Sequence, residues 1–250
     1  MQRYFLQEEA FQGKSVVITG EDARHISRVM RMRPDDEILC VSPGSRTALC
    51  KIEEIEAEHV SAQIIEWMDE TTELPVSVTI AQGIPKADKL EMIVQKGTEL
   101  GASAFIPFQA GRSIVKWDEK KAGKKVDRLK KIGKEAAEQS HRSKIPDIDG
   151  ILSFKALLET AQSFTIKLAA YEEAAKAGEQ QALTAALSNA RPGDSILAVI
   201  GPEGGLTPEE ALELEQNGFI LCGLGPRILR TETAPLYLLS AVSYQLELMR

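Results

Sequence analysis

Ser195-Ile-Leu-Ala-Val-Ile200 runs without a break into Gly201-Pro-Glu-Gly-Gly-Leu206 and then into Thr207-Pro-Glu-Glu210. The first block is a buried strand by its apolar run, and the third starts a helix. Thr207 stands at the N-cap, Pro208 at the first helical position and Glu210 in capping-box register, while Asn217-Gly218 supplies the stop. A strand, a glycine loop and a helix in this order let the backbone approach a flat ligand beyond the strand's C-terminal end. The glycine spacing fits neither the dinucleotide fingerprint nor the phosphate loop of nucleoside-triphosphate enzymes, so both readings fail. A second strand over 219–224 opens into Gly223-Leu224-Gly225-Pro226, then the polar Arg230-Thr231-Glu232-Thr233 and a helix over 236–248. One such turn would pass as an ordinary connection. Two of them after neighbouring strands line a crevice.

Upstream, the same alternation extends back to Pro75. A strand over 76–82, a helix over 89–100 stopped by Gly101, a strand over 104–108, a helix over 118–140 and strands over 164–170 and 195–200 describe a parallel sheet. Leu90, Ile93, Val94 and Leu100 give the first of these helices its apolar face. Before residue 72 the rhythm differs. Short β-rich runs over 15–19, 37–42, 47–55 and 60–67, broken by Gly13, Gly20, Pro34 and Pro43-Gly44, predict a small sheet or barrel with one helix over 22–31. The 250 residues therefore divide into domains 1–72 and 73–250.

With 43% hydrophobic and 27% charged residues, the chain has a globular composition, not a fibrous or disordered one. No run reaches the length of a membrane span, and the start, Met1 to Glu9, lacks the apolar core of a signal peptide, so a cytoplasmic protein is expected. Cys40, Cys50 and Cys222 are odd in number and widely spaced, and His25, His59 and His141 are scattered, so neither a disulfide framework nor a metal site is expected. His59 reads as a strand-edge residue. Gly13-Lys14-Ser15 and Ser113-Ile-Val-Lys116 lack the partner motifs that would give them chemistry.

The net charge of -7 is uneven: residues 112–144 carry 12 Lys and Arg against 5 Asp and Glu. That island is either a solvated lysine-rich helix face or a nucleic-acid track. A second basic group, Arg24, His25, Arg28, Arg31 and Arg33, places Arg24, Arg28 and Arg31 on one helical face.

Gly201-Pro202-Glu203-Gly204-Gly205, taken with Leu224-Gly225-Pro226-Arg227-Ile228-Leu229-Arg230-Thr231-Glu232-Thr233-Ala234, resembles the RsmE family of bacterial 16S rRNA uridine-N3 methyltransferases in the SPOUT superfamily. Arg3-Tyr4-Phe5, His25 through Arg33, Lys96-Gly-Thr-Glu-Leu-Gly101, Arg112-Ser113 and Glu135-Ala-Ala-Glu-Gln-Ser-His-Arg142 extend the likeness over the whole chain. The resemblance implies an α/β C-terminal domain with a deep trefoil knot, an exception to the rule against threaded chains, behind a small PUA-like N-terminal β-barrel. It implies S-adenosyl-L-methionine bound in the knot by Ile200, Gly201, Glu203, Gly204, Gly205, Leu224, Gly225, Ile228, Leu229, Thr233 and Ala234. Leu168 and Ala169, at the end of an earlier strand, would join them. It also implies a homodimer with the C-terminal helix at its interface, and 16S rRNA within the 30S subunit as partner.

Methylating uridine N3 requires removal of its proton or stabilisation of the uracil anion. Arg230 is the candidate cation, and Glu232 or Glu203 the candidate proton acceptor. A reachable uridine is unpaired or extruded and is held by shape and phosphate contacts. Arg3, Arg24, His25, Arg28, Arg31, Arg112, Gln139 and Arg142 are the candidate RNA contacts, with Lys120, Lys121, Lys124 and Lys125 adding a salt-dependent term. The competing expectations are 2′-O-ribose methylation by another SPOUT enzyme and a non-catalytic RNA-binding module. A dehydrogenase is disfavoured by the missing fingerprints.

Overall fold

A computed structural model describes residues 1–250 except Ala57, Glu70, Thr71, Lys116, Asp118, 177–180 and Arg250, and except the side chains at 119–121 and 175–176. Lys120 and Lys121 of the basic island therefore lie outside the described side chains. The chain forms two compact units, residues 1–73 with 137–144, and residues 74–136 with 145–250. Residues 137–144, placed in the second domain by the sequence, thus pack with the first.

The first unit is a six-stranded sheet of β1 (Gln2–Phe5), β2 (Phe11–Gln12), β3 (Ser15–Thr19), β4 (Glu37–Val41), β5 (Thr47–Ile55) and β6 (His59–Met68), in the order β1-β4-β5-β6-β3-β2. His59 opens β6 as an exposed residue. Tyr4, Ile18, Ile38, Ile52 and Val60 fill its core with Cys40 and Cys50, both free thiols. The expected helix is shorter than its arginine spacing suggests. Helix α1 (Gly20–Arg24) passes into a π-turn over His25–Val29, and Arg31 takes a left-handed backbone with φ 52°. Arg24, Arg28 and Arg31 are all exposed, but they do not form one helical stripe, because the wider turn and the reversed dihedral break the periodicity.

Residues 137–144 are tied down by charge. Arg142 is 2% exposed, and its guanidinium meets the Glu73 carboxylate, which also accepts from the Ser143 and Lys144 amides at 2.9 and 3.1 Å. Arg3, 7% exposed, donates to the Arg142 carbonyl at 2.7 Å.

The second unit is a parallel sheet. Its elements are β7 (Ser77–Gly83), α2 (Lys89–Glu99), β8 (Ala104–Gln109), α3 (Glu119–Gln139, which passes into the first unit from Ala137), β9 (Asp147–Ile148), β10 (Leu152–Ser153), α4 (Phe154–Thr160), β11 (Ile166–Ala170), α5 (Glu172–Lys176), α6 (Ala182–Asn189), β12 (Ser195–Ile200), α7 (Pro208–Gln216), β13 (Ile220–Cys222) and α8 (Ala234–Ser243). The strand order is β10-β8-β7-β12-β11-β13, with β9 on β8. Helices cover both faces, which explains the unbroken apolar run of β12: Ile196, Ala198 and Ile200 enter one core, and Leu197 and Val199 the other.

The order of strands places the ligand end. After β12 the chain passes through α7 to reach β13 on the far side of β11. The segment after β13 then returns to the C-terminal ends of β7 and β12. There Thr231 donates to the Gly201 carbonyl at 2.7 Å, and the buried Gln82 amide donates to Thr231 Oγ1 at 2.9 Å and to the Gly201 carbonyl at 3.3 Å.

Candidate functional site

At the C-terminal ends of β11, β12 and β13 lies a cavity of about 490 Å³. Pockets that bury a drug-sized ligand span roughly 300–1,000 Å³. The loop after β12 forms one wall, and its shape follows from local sequence. A Cβ on Gly201 would come within 2.7 Å of the Gly205 carbonyl carbon, a backbone atom that cannot move aside. Gly205 takes φ 70° and would carry a Cβ into open space. The loop then enters α7 through the capping box expected from Thr207 and Glu210, with Pro208 at the first turn. Glu210 does more than cap: Oε2 accepts from the Thr207 amide at 2.8 Å, and Oε1 accepts from the Gly111 amide at 2.7 Å. Arg112, next in the chain, donates to the Gly204 and Leu206 carbonyls at 2.9 and 3.2 Å.

The segment after β13 forms the opposite wall. Leu224, Gly225, Ile228, Leu229 and Ala234 line the cavity with Ile200, so one region is apolar and rich in exposed backbone. Ile228 is 75% exposed, available to cover a bound molecule. The polar lining is mixed in sign, with Glu172, Glu173 and Glu203 as well as Lys89, Arg227 and Arg230.

Lys89 organises that polar region. Its Nζ stands 2.9 Å from Glu203 Oε1 and 3.2 Å from Glu232 Oε2. Glu203 also accepts from the Lys86 amide at 3.1 Å. Burial works against the Glu203 carboxylate, but the hydrogen bonds from Lys89 and from backbone amides outweigh it and hold the carboxyl below its ordinary range. The hydrogen bond to Glu203 raises Lys89 above its ordinary range, with Glu232 contributing and desolvation opposing. The pair is thus intact between those limits. It is lost only as pH falls through the lowered Glu203 value or rises through the raised Lys89 value.

Of the cofactor residues expected from sequence, Ile200, Gly201, Glu203, Gly204 and Gly205 line the cavity, as do Leu224, Gly225, Ile228, Leu229 and Ala234. Three do not. Leu168 and Ala169 are fully buried within β11, paired to β12 and β13, and the lining continues instead from Ala170 and Tyr171. Thr233 is exposed at the N-cap of α8 and outside the cavity. Arg230 lines the cavity; Glu232 stands behind Lys89.

The expected RNA contacts separate as well. Arg24, Arg28, Arg31 and Gln139 are exposed in the first unit. His25 is half-buried, with Nδ1 3.0 Å from the Tyr4 hydroxyl. Arg142 is buried against Glu73, and Arg3 is buried and donates to the Arg142 carbonyl, so in this structure both guanidinium groups tie together segments of the first unit. Arg112 clasps the glycine loop. The basic island is partly an internal lattice: Arg128 bonds Glu91 at 2.7 Å and Lys125 lies 4.5 Å from the Trp117 ring centre, while Lys124 and Lys130 are solvated.

Sequence reasoning missed Lys89, Gln82 and the second role of Glu210. Lys89 had one available signal, a cation at a helix N-terminus, where the dipole disfavours it unless carboxylates are near.

Comparison with known proteins agrees with this geometry. A family model described as an RNA methyltransferase domain matches residues 72–243, and one described as an RNA methyltransferase PUA domain matches residues 18–65. The ribosomal RNA small subunit methyltransferase E of Bacillus subtilis is 52% identical, covering 100% of this chain and 99% of that protein. A crystal structure of the corresponding methyltransferase from Neisseria gonorrhoeae, bound to S-adenosyl methionine, superposes with a TM-score of 0.85 at 30% identity over 97% of each chain. A methyltransferase structure from Legionella pneumophila, also in complex with that cofactor, gives a TM-score of 0.83 at 27% identity over 96% of each chain.

Proposed function

The chain belongs to the ribosomal RNA small subunit methyltransferase E family, and on that premise we propose that it transfers the methyl group of S-adenosyl-L-methionine to N3 of a uridine in 16S rRNA. The observation that carries the reading is the cavity at the ends of β11, β12 and β13, built from two glycine turns and lined by both apolar groups and carboxylates. Its parts fit the cofactor. Ile200, Leu224, Leu229 and Ala234 suit an adenine ring, the backbone at 201–205 can approach it closely, and Glu172 and Glu173 suit a cationic ligand. When bound, the cofactor supplies an electrophilic methyl group.

The chain supplies position and charge. Arg230, on the cavity wall, stabilises the negative charge that grows on a uracil oxygen as N3 loses its proton. Glu203 is kept ionised by Lys89 and the Lys86 amide, so it is available to accept that proton. Its lowered basicity leaves most of the activation to the cation. RNA reaches the site by shape and phosphate contacts, with the exposed Arg24, Arg28 and Arg31 among them. We read the second unit as the SPOUT knot, formed where the 223–234 segment returns to Gly201 and Gln82.

Calorimetric titration with S-adenosylhomocysteine tests the cofactor half. The expected result is micromolar binding that disappears in Gly204→Trp, since even a Cβ there meets Arg112 Cβ at 3.0 Å. Nucleoside analysis of rRNA after reaction tests the other half. 3-Methyluridine supports the reading, 2′-O-methyluridine replaces it with ribose methylation, and no binding or product leaves an RNA-binding module.

We also infer a homodimer. Tyr237, Tyr244, Leu248 and Met249 expose apolar surface along α8 and its continuation, at 40, 57, 72 and 60%. Sedimentation velocity should give twice the 27.4 kDa of one chain, and a species of single mass would refute it.

A further inference from the structure

We propose that Lys89 is the positioning residue of the cofactor site, one ammonium that holds the glycine loop and the 225–234 segment to the first turn of α2 as a closed cradle. The inference rests on the methyltransferase reading and goes one step past it, to what keeps the site assembled.

Three chain segments remote in sequence meet at this group. Lys89 is the first residue of α2, where the positive end of the helix dipole makes a lysine unfavourable on its own. Its Nζ reaches Glu203 in the glycine loop at 2.9 Å and Glu232 in the returning segment at 3.2 Å. Each carboxylate has a neighbour that fixes a cradle wall: Glu203 precedes Gly204, and Glu232 follows Thr231, whose hydroxyl holds the Gly201 carbonyl at 2.7 Å. Glu203 is also held to the start of α2 by the Lys86 amide.

The charge count makes Lys89 indispensable to this arrangement. It is one cation between two carboxylates, so its removal leaves like charges facing each other in a partly buried gap. Glu232 Oε2 is buried and makes no hydrogen bond of good geometry among the described residues, so the ion contact with Lys89 is what compensates its desolvation. Arg112 fixes the glycine loop from the far side by its carbonyls and does not contact this triad through any described bond. Loss of Lys89 should therefore loosen both walls at once without unfolding the sheet.

The test uses the full-length protein with Lys89→Met, Lys89→Arg and the double variant Lys89→Met, Glu232→Gln. In the free protein, amide hydrogen exchange at Lys86 and at 203–206 should quicken about tenfold in Lys89→Met, and S-adenosylhomocysteine affinity should fall by about the same factor. Lys89→Arg should keep both within about threefold, because a guanidinium can still bridge two carboxylates. Adding Glu232→Gln should recover most of the loss, since it removes the repulsion rather than a ligand contact. Unchanged exchange in Lys89→Met overturns the proposal, and so does a loss of affinity that Glu232→Gln deepens. Because exchange is read without ligand, failure of the wild-type protein to bind S-adenosylhomocysteine would sink the methyltransferase reading while leaving this one tested.

Discussion

Arg230→Ala should lower the single-turnover rate of methyl transfer by about 10²–10³-fold while leaving S-adenosylhomocysteine affinity within about threefold. Arg230 lines the cavity, is exposed, and makes no ion pair among the described residues, so its guanidinium is available to a substrate rather than committed to the fold. Its backbone does separate work: the Arg230 carbonyl accepts from the Thr233 and Ala234 amides at 2.8 and 3.0 Å, contacts that alanine preserves. The substitution thus removes a charge and its donors without undoing the turn that enters α8. A donor aimed at charge that develops only in the transition state affects rate far more than ground-state binding. Arg227, also on the cavity wall, is the control that separates a specific role from a loss of general positive potential. Equal rates for wild type and Arg230→Ala would remove this residue from the chemistry. A fall in cofactor affinity matching the fall in rate would make it a binding group instead.

Arg142→Ala should destabilise the first unit by about 3–5 kcal/mol, the usual consequence of leaving one partner of a buried ion pair alone. The side chain of Arg142 is 3% exposed and that of Glu73 is 13% exposed, so solvent offers the Glu73 carboxylate little in place of the lost guanidinium. That carboxylate would keep the Ser143 and Lys144 amides and the nearby charge of Arg3 but lose the Arg142 guanidinium. Urea unfolding followed through Trp67 fluorescence, in a Trp117→Phe background that silences the second tryptophan, reads the effect. A double change, Arg142→Met with Glu73→Gln, should be less damaging than Arg142→Ala alone, because no charge is left unpaired. A shift below about 1 kcal/mol would show that water or a neighbouring group compensates Glu73, and that 137–144 is held by something other than this pair.

The parts of the fold legible in sequence are those fixed by local chemistry. The run 195–200, the capping box at Thr207 and the stop at Asn217-Gly218 each depend on neighbours within a turn or two. The glycine walls were legible for the same reason, since their geometry is a backbone property. What escaped was decided across long separations. Nothing about an arginine announces burial, and that of Arg3 and Arg142 depends on the Arg142 carbonyl and on Glu73, both remote in the chain from the groups they meet. Leu168 and Ala169 sit only a residue or two short of the strand end that borders the cavity, a distinction made by sheet register. Arg31 left its helical face because one reversed dihedral outweighs a periodic spacing. Lys89 had a partner in each glycine wall, and neither is near it in the chain.

The bonds joining Gln82, Gly201 and Thr231 also govern when activity can first appear. Strand β7 is made early in the second unit and Thr231 almost last, so these bonds wait for most of the chain. Contacts of such wide separation close slowly, because loop entropy is spent before any bonding returns it. A nascent chain still lacking its last few tens of residues has no place for a methyl donor. Synthesis itself thus acts as a timer: a product ended before Thr231 keeps the exposed arginines of the first unit but has no site for the methyl donor.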